Sequence, residues 1–173
     1  PLVSERSVES YIRFQEIAKR EGAECLMRGK AFTDMEYTGN YVTPSIYLVD
    51  DHDVKSTYQQ SEIFGPNVGI YKLEDFDEAL EINNSTGFGL VMSIFSKNKN
   101  LYEKALIDAK VGLLNWNRTT NGASSKLPFG GMGKSGNDRP SAHFAVNYTT
   151  VPVASLEDET LFDPSKVFPG VML

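Results

Sequence analysis

Several short stretches contain residue types capable of chemistry, and most of them fail on context. Gly131-Met132-Gly133-Lys134-Ser135-Gly136 satisfies G-x-G-x-x-G, a pattern that cradles phosphates when a strand precedes it and a helix follows. Here Leu127-Pro128-Phe129 precedes and Asn137-Asp138-Arg139-Pro140 follows, so neither element is expected. Gly133-Lys134-Ser135 also imitates the end of a P-loop, but the glycine required five residues before Gly133 is Pro128. His52, in Asp50-Asp51-His52-Asp53, could join a surface metal site; the better reading is a solvated acidic turn after a strand. Cys25 is the single cysteine and lies between Glu24 and Leu26. A nucleophilic thiolate needs a cation, a base or a helix N-terminus, and an adjacent acid works against it, so Cys25 is read as structural. His143 is read as a surface or partly packed residue. None of these positions is assigned a catalytic or metal-binding role.

Two other stretches survive the same scrutiny. Glu62-Ile63-Phe64-Gly65-Pro66 joins a carboxylate, a flat apolar ring and a turn. On the residues alone two readings stand. Glu62 caps a turn and Phe64 packs in a core, or the carboxylate offers both oxygens to vicinal hydroxyls while the ring forms an apolar wall. Residues 119–136 are rich in Gly, Ser, Thr and Pro and read as a long loop, which inside a compact domain is usually functional. Within it, Asn121-Gly122-Ala123-Ser124-Ser125 are small enough for backbone N–H groups to approach an anion; a flexible surface loop is the alternative.

The elements that must position these residues follow from periodicity. Ser4 or Ser7 can cap a helix that runs at apolar spacing to about Arg20 and ends at Gly22. Residues 23–27 read as a short strand, and 41–49 as a strand interrupted by Pro44, near an edge or with a bend. Residues 67–73 form a strand, 75–83 a helix with acids in its first turn, 90–95 a strand, 99–109 a helix and 111–116 a strand. This β-α-β-α-β run implies right-handed crossovers and a parallel sheet covered on both faces. A short helix over 141–146, a strand over 148–154 with no local partner and an irregular tail complete the chain.

Composition narrows the class. The 173 residues carry a net charge of −6, with 40% hydrophobic and 23% charged residues, as in ordinary globular domains. No basic stripe points to nucleic acid, the acidic balance disfavours anionic membranes, and no apolar run reaches a membrane span. One cysteine forbids an internal disulfide and fits a reducing compartment; with no signal-peptide pattern at the N-terminus, the expected location is the cytoplasm.

Glu62-Ile63-Phe64-Gly65-Pro66, then Asn115-Trp116-Asn117, then Pro128-Phe129-Gly130-Gly131 and Lys134-Ser135-Gly136 together resemble, in order and spacing, the aldehyde dehydrogenase superfamily. Pro1-Leu2-Val3-Ser4 and Gly22-Ala23-Glu24 extend the resemblance over nearly the whole chain. It implies a three-layer αβα catalytic-domain fragment with a mostly parallel sheet. Residues 1–146 would be the C-terminal portion of that domain, 147–156 an oligomerisation strand and 157–173 the tail. By resemblance, Glu62 would hold the nicotinamide ribose of NAD or NADP and Phe64 the ring. Phe129 would line the aldehyde tunnel, and Gly122, Ala123 and Ser124 would belong to the loop that anchors the substrate.

Thr120-Asn121-Gly122-Ala123-Ser124-Ser125 and Ser135-Gly136-Asn137-Asp138-Arg139-Pro140-Ser141-Ala142 resemble the succinylglutamate semialdehyde dehydrogenases of arginine breakdown, with Asn121 and His143 as departures where Thr and Tyr are common. The family's nucleophilic cysteine, general base and cofactor domain lie upstream of the matching region. The chain alone is therefore expected to have no catalytic residue, no dehydrogenase activity and no tightly bound cofactor. The parent is expected to be a homo-oligomer acting on a small aldehyde. Alternatives are a noncatalytic binding or oligomerisation module on the same fold, or a dehydrogenase for another carboxylated semialdehyde.

Overall fold

A computed structural model describes residues 1–32, 38–157 and 159. Helix α1, Glu5–Arg20, starts where the Ser4 side chain accepts from the Ser7 N–H and ends at Glu21, with Gly22 following at φ +92°. Strands β1 (Glu24–Met27), β2 (Ser45–Val49) and β3 (Asn67–Tyr71) follow. Next come α2 (Phe76–Ser85), β4 (Phe88–Gly89), β5 (Val91–Ile94), α3 (Lys99–Asp108), β6 (Leu113–Trp116) and β7 (Met132–Gly133). A 3-10 turn at Ala142–Ala145 runs into α4, Val146–Thr149. Asp75 caps α2 by accepting from the Glu78 N–H at 2.8 Å, and Asn98 caps α3, which is how short polar side chains satisfy the free donors of a helix start.

The fold is α/β with mixed sheets. β1 pairs antiparallel with β2, and β2 parallel with β3; β5 pairs parallel with β6, and β4 antiparallel with β7. β2 begins at Ser45 because Pro44 has no N–H to give a ladder, and before it only Val42 makes an isolated bridge, to Ala31. Ser45, Tyr47 and Val49 are buried in alternation with Ile46 and Leu48, the period of a strand with one face on a core.

Three expectations are corrected. The β3-α2-β5 crossover does not join neighbouring strands: among the described residues β3 and β5 share no ladder, and an apolar cavity of about 630 Å³ lies between them, lined by Tyr71, Leu73, Ile82, Leu90 and Met92. Each half-sheet therefore has its own core, one around Ala18, Tyr47, Val49 and Tyr58, the other around Leu80, Ile94 and Ala105. The long loop is not wholly irregular, since Met132 and Gly133 pair with β4. The strand expected over 148–154 is not formed: Tyr148 and Thr149 belong to α4, and residues 151–157 enter no ladder. A strand needs a partner edge, and none of the described residues offers one there. Apart from Glu157 and Glu159, the tail expected over 157–173 lies outside the described residues. Among the described residues, no helix is long and apolar enough to cross a membrane.

Candidate functional site

The Glu62–Pro66 segment sits between β2 and β3 in the chain and is held from beneath by α1. Ile63 turns inward against the first core. Phe64 adopts φ +52°, a left-handed conformation that an L-residue adopts only at some cost in energy. This leaves the Phe64 ring 76% exposed. Glu62 is exposed on the same side, and among the described residues no group hydrogen-bonds its carboxylate. The two side chains line an open cavity of about 370 Å³ shared with Tyr58, Gly69 and Tyr71. The pair is not consumed by packing; a turn cap and a core ring would look different.

Tyr11 supports the turn. Its ring is fully buried, and a Cβ on Gly65 would lie 2.6 Å from its Cδ2, so glycine is required for the close approach. The Tyr11 hydroxyl lies 2.8 Å from both the Thr43 carbonyl and Ser45 Oγ, and 3.3 Å from the Pro66 carbonyl. Asn67 Nδ2 donates to Ser45 Oγ at 2.9 Å and Tyr58 O–H to Asn67 Oδ1 at 3.0 Å. Burial raises the Tyr11 phenol, partly offset by Ser45, so it stays a neutral donor.

On the upstream side Glu21, at the end of α1, accepts from Ser56 O–H at 2.6 Å, Thr57 N–H at 3.0 Å and Tyr58 N–H at 2.9 Å. Sequence reasoning missed this residue. The available signal was its place: a carboxylate at a helix C-terminus opposes the helix dipole and calls for a partner elsewhere. Burial pushes the Glu21 carboxyl up, but the bonds from Ser56, Tyr58 and Thr57 outweigh it and leave it below the ordinary carboxylate range. With the folded value depressed, the stabilisation is present above the unfolded value and lost as pH falls through the folded one. Urea unfolding of Glu21→Gln should accordingly lose less stability than wild type between neutral pH and the acid range below ordinary carboxylates. Identical slopes in the two proteins would contradict this.

The loop residues Gly122, Ala123 and Ser124 line a second cavity, of about 310 Å³, with Asn115, Arg118 and Leu127. The structure does not place Phe129 on that cavity; Phe129 is 40% exposed and bridges Ser141, whose N–H donates to its carbonyl at 2.7 Å. Lys134 of the phosphate-loop mimic donates to the Thr86 carbonyl at 3.1 Å and lies 4.9 Å from the centre of the Phe88 ring. Ser135 Oγ accepts from Gly89 N–H at 3.0 Å. These glycine-rich residues fasten β7 to β4. His52 is engaged by Gln59 and Ser85, Cys25 is exposed on β1, and no group of three or more metal-ligating side chains occurs among the described residues.

Comparison with known proteins decides the family. Residues 1–153 match the aldehyde dehydrogenase family. The chain belongs to the aldehyde dehydrogenase family. It is 40% identical over 172 residues to an N-succinylglutamate 5-semialdehyde dehydrogenase of Acinetobacter baylyi, and 39% identical over 173 residues to that of Legionella pneumophila. It covers 99% and 100% of itself in these matches but 34% of each relative, so it spans about a third of their length. Among solved aldehyde dehydrogenases, 1-pyrroline-5-carboxylate dehydrogenase from Thermus with bound NAD superimposes with a TM-score of 0.71 and 29% identity, over 83% of this chain and 27% of that one. Aldehyde dehydrogenase 21 from Physcomitrella patens, in complex with the reaction product succinate, gives 0.71 and 29%, over 85% and 29% of the respective chains.

Proposed function

We propose that this chain is the C-terminal part of an NAD(P)-dependent aldehyde dehydrogenase that oxidises N-succinylglutamate 5-semialdehyde to N-succinylglutamate in arginine catabolism. The observation that carries the reading is the pairing of an unengaged carboxylate, Glu62, with an exposed ring, Phe64, on one open cavity. That pair fits the nicotinamide and ribose end of a dinucleotide: a carboxylate accepts from two vicinal hydroxyls, and an apolar face shields one side of a flat ring. When bound, the cofactor supplies a hydride acceptor. The chain's own contribution is to orient that acceptor through Glu62 and Phe64, and to offer the Gly122, Ala123 and Ser124 loop to the aldehyde; Phe129, outside that cavity here, would reach the aldehyde only from the adjoining tunnel wall of the complete domain.

The remaining assignments follow from the same reading. Residues 1–146 complete a catalytic domain whose nucleophile, base and cofactor domain come from preceding sequence. Residues 147–156 become a strand when a partner edge reaches them, joining subunits of a cytoplasmic homo-oligomer. The test is direct. The full-length polypeptide carrying this segment should oxidise N-succinylglutamate 5-semialdehyde with NAD or NADP, and the 173-residue chain should not. In the full-length protein Glu62→Gln should lower kcat/KM about tenfold, on the order of one charge-assisted hydrogen bond. Turnover by the chain alone, or an unchanged Glu62→Gln enzyme, would refute the assignment.

A further inference from the structure

We propose that Arg118 is a specificity-determining residue, whose guanidinium pairs with a carboxylate on the tail of the aldehyde held by the 121–124 loop. The inference rests on the reading of the parent protein as a dehydrogenase of carboxylated aldehydes, and deepens it by naming the group that reads the charge.

Three observations carry it. First, among the described residues Arg118 is the only charged one lining the cavity of about 310 Å³ formed with Asn115, Asn121, Gly122 and Ser124, in a chain of net charge −6. Second, its charge is unspent: among the described residues no carboxylate forms an ion pair with it and no acceptor takes a hydrogen bond from its guanidinium. The N–H groups of Gly122 and Ala123 likewise reach no acceptor among the described residues. A guanidinium stays charged at any working pH and presents a fork matched to a carboxylate, and two free N–H groups beside it extend the same anion-binding surface.

Third, the backbone that carries Arg118 is fixed from several sides. Asn117, at φ +51°, accepts from Ser96 N–H at 2.9 Å and donates to the Ser96 carbonyl at 3.0 Å. Trp116 Nε1 donates to the same carbonyl at 2.9 Å, Asn115 Nδ2 donates to the Thr119 carbonyl at 2.8 Å, and the Ser93 hydroxyl donates to the Arg118 carbonyl. Bonds this dense at a strand end hold the Cα of a long, flexible side chain in place, so that less order is lost when a ligand pairs with it. Sequence reasoning passed over Arg118 because it lies between the Asn115-Trp116-Asn117 motif and the loop; the signal was a lone cation directly beside an anion-binding loop.

The experiment compares charged and neutral aldehydes in the full-length dehydrogenase. Arg118→Gln should raise KM for N-succinylglutamate 5-semialdehyde about 30-fold, with kcat changed by less than about threefold, as for the loss of one bidentate charge-assisted contact. The same variant should oxidise hexanal with kcat/KM within about twofold of wild type, and Arg118→Lys should recover part of the loss on the charged substrate. An equal loss on hexanal, or no loss on the charged aldehyde, overturns the proposal. If Arg118→Gln does not fold, wild type decides: its KM for the charged aldehyde must rise with KCl while that for hexanal stays constant, and parallel behaviour overturns it. A wild-type enzyme that prefers another carboxylated aldehyde, with the Arg118→Gln defect retained on it, refutes the assigned substrate and supports Arg118.

Discussion

Replacing Gly112 by alanine is expected to destabilise the 173-residue chain by more than ~3 kcal/mol, in the range reserved for core overpacking and backbone clash. A Cβ at Gly112 would lie 1.6 Å from the Gly130 carbonyl oxygen, 2.7 Å from its carbon and 3.3 Å from Gly131 Cα. All three are backbone atoms, so no rotamer change relieves the overlap. Gly112 cannot retreat either, because its N–H donates to the Gly89 carbonyl at 3.1 Å. Residues 130–131 must move instead, and they lead directly into β7. The expected readout is loss of the main urea transition by circular dichroism, or a large shift of its midpoint. A variant with a wild-type midpoint would show that the 128–133 segment does not pack on β6 in solution.

Tyr11→Ala should be the second most damaging change, at about 4 kcal/mol, the usual effect of truncating a fully buried aromatic ring. It removes the ring beneath Gly65 and the hydroxyl shared among Thr43, Ser45 and Pro66. Tyr11→Phe should lose only about 1–2 kcal/mol, the contribution of the hydroxyl network. The pair Tyr11 and Gly65 offers a sharper check. Gly65→Ala places a methyl 2.6 Å from the Tyr11 ring and should be strongly destabilising in wild type, yet nearly neutral once the ring is gone. A double-mutant cycle by thermal unfolding reads this coupling; additivity within about 0.5 kcal/mol would mean that the ring and the turn do not touch.

Much of this architecture was legible in the sequence because its determinants are local. Ser4 marks a helix start by a side-chain cap, first-turn acids mark α2, Gly22 marks an end, and Pro44 interrupts the strand where β2 begins, whereas the caps Asp75 and Asn98 emerge only in the structure. Family motifs located the cavity residues Glu62 and Phe64, and the loop residues Gly122, Ala123 and Ser124. What was illegible depends on distant partners. The β4–β7 ladder joins Phe88 to Gly133, and no local propensity announces a two-residue pairing across so long a stretch. The close approach at Gly65, next to the left-handed Phe64, depends on Tyr11 beneath it, a residue whose periodicity said only that it faces a core. A ladder between β3 and β5 was expected from the β-α-β pattern, but that pattern fixes the hand of a crossover and not how many strands it spans. Residues 148–154 have strand-forming side chains, and a strand is a property of two edges.

The cavity between β3 and β5 also bears on how the polypeptide is made. The residues of the first core and the apolar side chains packed on them run from Ile17 to Tyr71, with Gln15 of α1 accepting from the Tyr47 hydroxyl, and those of the second lie within 76–114. The amino-terminal unit can thus close on an emerging chain before α3 has left the ribosome, and the second can close without waiting for residues 119–157. Neither event covers Val68 and Ile70, which stay 52% and 40% exposed, or Leu90 at 41%. Between synthesis and assembly these bare strand margins compete for any extended segment nearby, including the same margin on another nascent chain. Production of this segment by itself should therefore be governed by concentration and chaperone supply more than by the stability of either half.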